Sequence, residues 1–473
     1  MQNKRDQLHA HQFLVGRMVA ALVRGEPDLQ ESPLRRAGSG TVIGVVVALL
    51  LSVGFGLYGL VAPGGSTAWQ QPGTIIVEQE TGTRYLYLDG TLRPTLNYAS
   101  AKLAVTGAGR PMTSVSRNSL AGTQHGRPVG IPGAPDAIPT PANLSADPWL
   151  VCATEEEQPN GSTKPGTLLT VAGGPASTPV PHDNAVLVRS TDGANYLVWR
   201  DERLRVTDRA ALVALGFSSA QPLVVDPSWL NSLRAGPDLV ATMPEGTGSP
   251  GLAVGGQQTR VGQVFEVRLT GDRKDFYLMR ADGLAGISQT EAALLLARAE
   301  TAAAYPGAAA RPLPMTAGQL DKAQWSAAKA TEGRLPAIPP SSMDDQLTGG
   351  RTLCLAMTFT ERGQHGRLVT VDREAVATAG VRAGGDGRTA DRVLVPPGGG
   401  ALVSAQSGPG TATGSTYLIT DLGVLFPLPS NEVVNELGYS GVAPLPVPTT
   451  VLAFLPTGPV LDPVAARKEW GPR

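Results

Sequence analysis

One uninterrupted apolar segment limits what this chain can be. Residues 41–62, TVIGVVVALLLSVGFGLYGLVA, hold no charged side chain, and no Asp, Glu, Lys or Arg lies between Arg36 and Glu78. A helix of about 20 apolar residues crosses the hydrocarbon core of a bilayer. A buried helix of a soluble protein rarely combines this length with so wide a charge-free zone. The segment therefore predicts a membrane span.

A cleavable signal peptide is the main alternative to a permanent anchor. Its positive region is normally short, whereas 40 residues precede this segment, and Pro63-Gly64-Gly65 follows it instead of a small-residue cleavage site. Six Lys and Arg residues precede the span, and the first one after it is Arg84. By the positive-inside rule, the sequence predicts an uncleaved anchor with a cytoplasmic amino terminus and an extracytoplasmic body.

Composition restricts the body after the span. Its length predicts two or more domains, and 57 Gly with 40 Pro predict many turns and short elements. The net charge of the chain is −1, with 39 Lys and Arg against 40 Asp and Glu. This balance does not favour binding to nucleic acid.

The chain has two cysteines, Cys152 and Cys354. Outside the membrane an even pair predicts a disulfide, which here would close a loop of about 200 residues. Two unpaired buried thiols are the alternative. A metal site built from cysteine alone is excluded, since two ligands do not complete a tetrahedral shell.

The segment before the span shows helical periodicity. In residues 4–24 apolar side chains recur at spacings of three and four, and three arginines would border the stripe. Such a helix either lies on anionic lipid or docks a cytoplasmic partner. Residues 25–40, with Pro27 and Pro33, are predicted to be a tether.

A pattern of strand, turn, short apolar pair and capped helix occurs four times after the span. We expect the aromatic residue that opens each copy to lie in the core of a repeat; these residues are Tyr85, Tyr196, Phe276 and Tyr417. The predicted helix caps are Asn97, Thr207, Ser288 and Ser430. The second and fourth copies also share a tail of the form LxxLxxGPxL, which begins at Leu230 and at Leu452.

Apolar runs between the copies predict strands of a separate central β domain that carries the two cysteines. The chain is predicted to begin with a cytoplasmic helix and tether (1–40) and a transmembrane helix (41–62). Then follow repeat 1 (63–125), the first segment of the central domain (126–188), repeat 2 (189–245) and repeat 3 (262–305). The second segment of the central domain (306–412), repeat 4 (413–463) and a tail (464–473) complete the chain.

No motif in the sequence specifies catalysis. The Gly-Lys pair of a phosphate-binding loop, the Gly-x-Ser-x-Gly elbow and His-Glu-x-x-His are absent from the 473 residues. Gly246-x-Gly248-x-x-Gly251 matches a dinucleotide-binding pattern but is predicted to be a plain loop, because no helical pattern follows it. We therefore expect no catalytic residue, no metal and no cofactor.

Several stretches resemble the EccB family of the type VII (ESX) secretion machinery of actinobacteria. They include Tyr85-Leu86-Tyr87-Leu88-Asp89-Gly90, the Gly/Pro-rich stretch at 130–135, the run at 395–403 and the closing Leu455-Pro456-Thr457-Gly458-Pro459. The short segment with Arg5, Gln7 and Phe13 before a single span fits the layout of this family. The resemblance extends over nearly the whole chain.

The resemblance implies an α+β protein with one transmembrane helix and an elongated extracytoplasmic region of four small repeat domains around a disulfide-stapled central β domain. It implies a structural core subunit that self-associates and assembles with EccC, EccD, EccE and a mycosin protease in the plasma membrane. It also favours docking by the first helix, through Leu8, Phe13, Val15, Met18 and Leu22. ATP hydrolysis is attributed to the family, and cell-wall binding, with peptidoglycan as partner, is the alternative function.

The predicted orientation can be tested by cysteine labelling. In intact cells, a membrane-impermeant maleimide should not modify an Ala10→Cys variant until the cells are lysed, because residue 10 is predicted to be cytoplasmic. A Thr81→Cys variant is the control and should be modified in intact cells. Labelling of residue 10 from outside would refute the orientation.

Overall fold

The computed structural model describes most of the 473 residues. The described ranges are 4–24, 33–61, 67–71, 73–105, 112–146, 148–271, 273–327, 335–343, 347, 349–384, 388–408 and 410–471. Residues 25–32, at the start of the predicted tether, and the last two residues of the predicted tail lie outside them.

Twelve α-helices are described, and most are short. In chain order they are α1 (Lys4–Arg24), α2 (Pro33–Val61), α3 (Tyr98–Ala104), α4 (Arg117–Leu120), α5 (Arg209–Ala214), α6 (Pro227–Asn231), α7 (Gln289–Ala297), α8 (Ala317–Asp321), α9 (Arg373–Ala377), α10 (Asn431–Glu436), α11 (Thr449–Leu452) and α12 (Pro463–Ala466). Three short 3₁₀ turns are at Ala68–Gln70, Pro141–Asn143 and Ala299–Ala304.

Twenty-five strands are described after α2. In order they are β1 (Ile75–Glu78), β2 (Arg84–Leu88), β3 (Thr91–Pro94), β4 (Met112–Val115), β5 (Trp149–Glu157), β6 (Thr163–Thr170), β7 (Ser177–Pro179), β8 (Asn184–Ser190), β9 (Asn195–Trp199), β10 (Glu202–Val206), β11 (Leu223–Val225), β12 (Arg234–Ala235), β13 (Val264–Arg268), β14 (Lys274–Arg280), β15 (Gly283–Ile287), β16 (Leu313–Met315), β17 (Ser341–Ser342), β18 (Arg351–Thr360), β19 (Gly363–Asp372), β20 (Val381–Arg382), β21 (Arg392–Leu394), β22 (Gly400–Gly408), β23 (Thr411–Thr420), β24 (Leu425–Leu428) and β25 (Leu445–Pro448).

Four of the five sheets share one strand arrangement. Each contains an antiparallel meander of three consecutive strands and a fourth strand that pairs in parallel with the first of them, and a helix lies between the third and fourth strands in the sequence. The strand orders are β3-β2-β1-β4, β11-β8-β9-β10, β15-β14-β13-β16 and β24-β23-β22-β25, with β12 and β17 added to the second sheet. The parallel fourth strand requires a crossover, which the intervening helix provides.

Local signals define the ends of the crossover helices. Asn97 accepts from the Ser100 N–H, Ser288 forms a capping box with Glu291, and Ser430 accepts from the Val433 N–H, so these three predicted caps are confirmed. The predicted cap Thr207 is wrong. Asp208 is the cap of α5, because its carboxylate accepts from the Ala210 N–H and α5 begins at Arg209.

The fifth sheet has seven strands from distant stretches of the chain. Its order is β20-β21-β6-β5-β18-β19-β7. The side chains of its central strands alternate between two cores. Val151 and Leu355 enter a large core shared with residues of the second and fourth sheets, whereas Cys152 and Cys354 enter a smaller core beneath α9.

The chain divides into two compact units. One contains residues 1–93 with 111–126, and the other contains residues 94–110 with 127–473. In the first unit, Trp69, Ile76 and Leu92 belong to a small core. In the second unit, the second and third sheets share a core in which α5 and α7 pack together.

The sheets differ from the boundaries expected from sequence. β8 lies in the second sheet and β22 in the fourth, although residues 184–188 of β8 and all of β22 fall in stretches assigned to the central domain. β16, at 313–315, belongs to the third sheet and not to the central domain. The boundaries differ because the repeated pattern of strand, turn, apolar pair and helix begins at the second strand of each sheet. The first and last strands of these sheets lie outside that pattern. Helix α2 begins at Pro33, so the end of the predicted tether is helical.

A buried ion pair links two strands of the seven-stranded sheet. Arg392 Nε on β21 lies 2.7 Å from Glu156 Oε1 on β5, and the two side chains are only 6% and 5% exposed. The remaining guanidinium nitrogens of Arg392 donate to the carbonyls of Ala379 and Val376. Gly166 leaves the space for this pair, since a Cβ there would clash with Glu156 Cγ.

Removal of Arg392 should destabilise this sheet strongly. The Arg392→Met variant leaves the Glu156 carboxylate buried without its partner, which costs about 3–5 kcal/mol. The control is Lys164→Met; the Lys164 side chain is 46% exposed and its Nζ lies 3.2 Å from Asp391 Oδ1, so a loss below about 1 kcal/mol is expected. Urea unfolding followed by tryptophan fluorescence compares them, and equal midpoint shifts would contradict the assignment.

Candidate assembly surfaces

The first candidate surface is the apolar stripe of α1. Four residues that lie three, four or seven positions apart form it, and their exposed fractions are Leu8 58%, Val15 44%, Met18 59% and Leu22 86%. A helix with such a face is stable only when another apolar surface covers the face. The stripe can therefore bind either a groove in a partner or the surface of a membrane.

Phe13 does not share this stripe. In an α-helix each residue turns by about 100°, so Phe13 points to the side opposite Val15 and Met18. Its side chain is 68% exposed. The five residues expected to dock together therefore occupy two sides of α1.

Helix α2 is the one described helix that is long and apolar enough to cross a membrane. The candidate span is Gly38–Tyr58, 21 residues, and at 1.5 Å per residue it measures about 31 Å. The side chains of this span are exposed throughout. This agrees with the charge-free segment identified in the sequence.

The two cysteines are bonded across neighbouring strands. Cys152 on β5 stands directly opposite Cys354 on β18, and both are fully buried. The bond joins positions 202 residues apart. The whole second and third sheets lie between the two cysteines in the sequence.

The four opening aromatic residues all lie on the second strand of the arrangement that the four sheets share. Phe276 is 7% exposed, whereas Tyr85, Tyr196 and Tyr417 are only half-buried. The three tyrosines pack against the margin of a hydrophobic core and are not fully buried. A tyrosine at the core margin keeps its hydroxyl within reach of polar partners. The residue that follows each tyrosine, on β2, β9 and β23, is a fully buried leucine.

Tyr85 illustrates this margin position. Its hydroxyl donates to Glu78 Oε2 at 3.2 Å, and burial followed by the nearby Glu78 charge raises the pKa of Tyr85. Arg117 Nε lies 2.7 Å from Glu78 Oε1. This hydrogen bond, with one from Thr81, lowers the pKa of Glu78, so the carboxylate is charged at neutral pH.

The shared tails of the second and fourth copies make the same main-chain contacts. The Gly236 N–H donates to the Arg203 carbonyl at 3.0 Å, and the Gly458 N–H donates to the Leu425 carbonyl at 2.9 Å. Both donors and both acceptors are offset by 222 residues. At each glycine a Cβ would strike a neighbouring side chain, Leu204 in one case and Phe426 in the other.

Among the described residues, no group of three or more His, Cys, Asp or Glu side chains is arranged to hold a metal ion. One cleft that the sequence did not indicate lies between β19 and the turn joining β9 to β10. Its residues come from three separate segments, so no local pattern could have identified it.

Comparison with known proteins identifies the family. The family model described as "Type VII secretion system ESX-1, transport TM domain B" matches residues 2–471. The chain is 27% identical over 477 residues to "ESX-1 secretion system ATPase EccB1" of Mycolicibacterium smegmatis (strain MKD8), covering 97% of this chain and 94% of the relative. It is 28% identical over 484 residues to "ESX-2 secretion system ATPase EccB2" of Mycobacterium tuberculosis (strain CDC 1551 / Oshkosh), covering 98% and 94%.

Solved structures agree with this result. A chain of an intact ESX-5 inner membrane complex superposes with a TM-score of 0.66 at 25% identity, covering 100% of this chain and 96% of that chain. A chain of the EccB3 dimer from the ESX-3 core complex gives a TM-score of 0.64 at 26% identity, covering 83% and 99%. The match over almost the entire length shows that this chain belongs to the EccB family of type VII secretion proteins.

Proposed function

We propose that this chain is a structural core subunit of a type VII (ESX) inner membrane secretion complex. The observation that carries the proposal is its superposition, over 100% of its length, on a chain of an intact ESX-5 inner membrane complex. One membrane-spanning helix gives a large body little fixed orientation. Contacts on both sides of the membrane would supply that orientation.

The proposed topology has α1 in the cytoplasm and the sheets in the periplasm. The excess of Lys and Arg before α2 supports it. Self-association would use the periplasmic region, as the EccB3 dimer of the ESX-3 core complex suggests by its similarity. EccC, EccD, EccE and the mycosin protease are the proposed partners within the same complex.

The proposed body has four repeat domains around the seven-stranded sheet. Their shared strand order and the 222-residue offset between the second and fourth copies support this. The strand pairings favour repeats that begin at β1, β8, β13 and β22, with the seven-stranded sheet as the central domain. In this arrangement the disulfide lies in the central domain and the second and third repeats are inserted between its cysteines.

The word ATPase in the relatives' names does not extend to a site in this chain. Nucleotide-hydrolysing loops use a Gly-Lys pair to hold phosphates, and the 473 residues contain none. The proposed role is therefore assembly; ATP hydrolysis, which is attributed to the family, has no phosphate-binding motif to support it in this sequence.

Docking of α1 gives the direct test. The double variant Val15→Asp with Met18→Asp places two carboxylates on the apolar stripe, so the full complex should be lost from native gels of detergent extracts while the chain still inserts into the membrane. A Phe13→Asp variant, on the opposite side of α1, should have a milder effect.

A second control separates docking from lipid binding. Arg17→Gln with Arg24→Gln weakens attraction to anionic lipid but keeps the apolar stripe, so assembly should be largely retained. Survival of the full complex in the Val15→Asp, Met18→Asp variant would show that α1 is not a docking helix. Greater damage from the arginine changes would favour lipid binding instead.

A further inference from the structure

One edge of the seven-stranded sheet is only partly covered. β19 runs from Gly363 to Asp372, but β7 pairs only with Val369–Val371, and the Val180 N–H donates to the Leu368 carbonyl at 3.0 Å. Among the described residues, no strand lies beside the outer edge of 363–367. Main-chain groups alternate between the two sides of a strand, so those of Gln364 and Gly366 point outward, as those of Leu368 do.

A cleft lies beside this open edge. Its floor contains the buried side chains of Val180 and Leu368, and its rim contains His182, Arg200 and Arg367. An extended chain laid along the edge would meet unpaired donors and acceptors on one side and this cleft on the other. Open edges of this kind can add a strand from another protein.

The charge of the cleft is positive. Arg200 and Arg367 are exposed at its rim, and Asp201 is the one carboxylate among its lining residues. Arg234 binds that carboxylate, with Nε 2.9 Å from Oδ2 and Nη2 3.0 Å from Oδ1. The arginines at the rim therefore have no acidic lining residue left to neutralise them.

The rim arginine at the β9–β10 turn is held in place. Arg200 has a φ of 59°, the left-handed conformation that the first residue of a two-residue β-hairpin turn adopts. Its guanidinium lies 4.1 Å from the ring centroid of Trp199, and the Trp199 indole N–H donates to the His182 carbonyl at 2.9 Å. These contacts fix one wall of the cleft before any ligand binds.

We propose that an extended acidic segment of another subunit adds to the outer edge of β19 at residues 363–367. Charge complementarity selects this occupant: alternate side chains of the added strand would face the apolar floor, and the carboxylates between them would pair with Arg367 on the opposite face, while Arg200 adds positive charge beside the floor. The inference rests on the proposed role in an inner membrane complex. It identifies the partner segment by its negative charge and its extended conformation.

Peptide binding to the full-length chain in detergent tests this site. The probe is a fluorescein-labelled acetylated peptide of four Val-Glu pairs, and fluorescence anisotropy measures its dissociation constant; the matched control peptide has four Val-Lys pairs. Arg200→Asn with Arg367→Gln should weaken binding of the acidic peptide about tenfold. Asn is chosen at 200 because it tolerates the left-handed conformation.

Two further variants separate main-chain pairing from general charge effects. Gln364→Pro removes an outward N–H at an edge where proline is tolerated, so it should also weaken peptide binding. The control Arg205→Gln with Arg382→Gln removes the same charge from exposed arginines away from the cleft, and it should leave binding unchanged. Circular dichroism of each variant verifies that the sheet is retained.

The proposal is wrong if the acidic peptide shows no saturable binding, if the Val-Lys peptide binds equally well, or if Gln364→Pro has no effect. A second copy of the chain at this edge would also refute the proposal. In that case Arg200→Asn with Arg367→Gln would lower the oligomeric mass of the chain, and the acidic peptide would not displace the second copy. A chain that enters the secretion complex on native gels yet fails to bind the peptide refutes this inference alone and leaves the proposed function intact.

Discussion

The second unit depends on the pairing of β5 with β18. These strands are neighbours at the centre of the seven-stranded sheet, and the Cys152–Cys354 bond joins them at one register position. In the chain-entropy model, closing a loop of about 200 residues contributes roughly 5 kcal/mol as an upper estimate. Every other strand of the sheet is ordered outward from this pair, with β6, β21 and β20 on one side and β19 and β7 on the other.

The same pairing explains how a chain rich in glycine and proline builds one large core. Trp149 and Met357 face each other across β5 and β18 and enter the core that also receives side chains from the second and fourth sheets. Trp229, on α6, reaches it as well and donates to the Val151 carbonyl at 3.0 Å. Short elements from distant segments are therefore stabilised mainly by packing against the central sheet, since helices of four to six residues have little stability alone.

Features set by short-range chemistry could be predicted from the sequence. The membrane span, the periodicity of α1 and the caps at Asn97, Ser288 and Ser430 all follow from neighbouring residues. Strand partners could not be predicted in the same way: nothing near β8 indicates that it pairs with β9 and β11 instead of joining the central sheet. The cleft beside β19 combines three segments and becomes visible only when the fold brings them together.

The central claim, that the cross-strand disulfide holds the second unit, is tested by hydrogen–deuterium exchange. The full-length chain is compared with a Cys152→Ala, Cys354→Ala variant under identical conditions. We predict that amides of β5 and β18 lose protection while those of β1 and β2, in the first unit, exchange as before. Unchanged protection of β5 and β18 in the variant would contradict this claim.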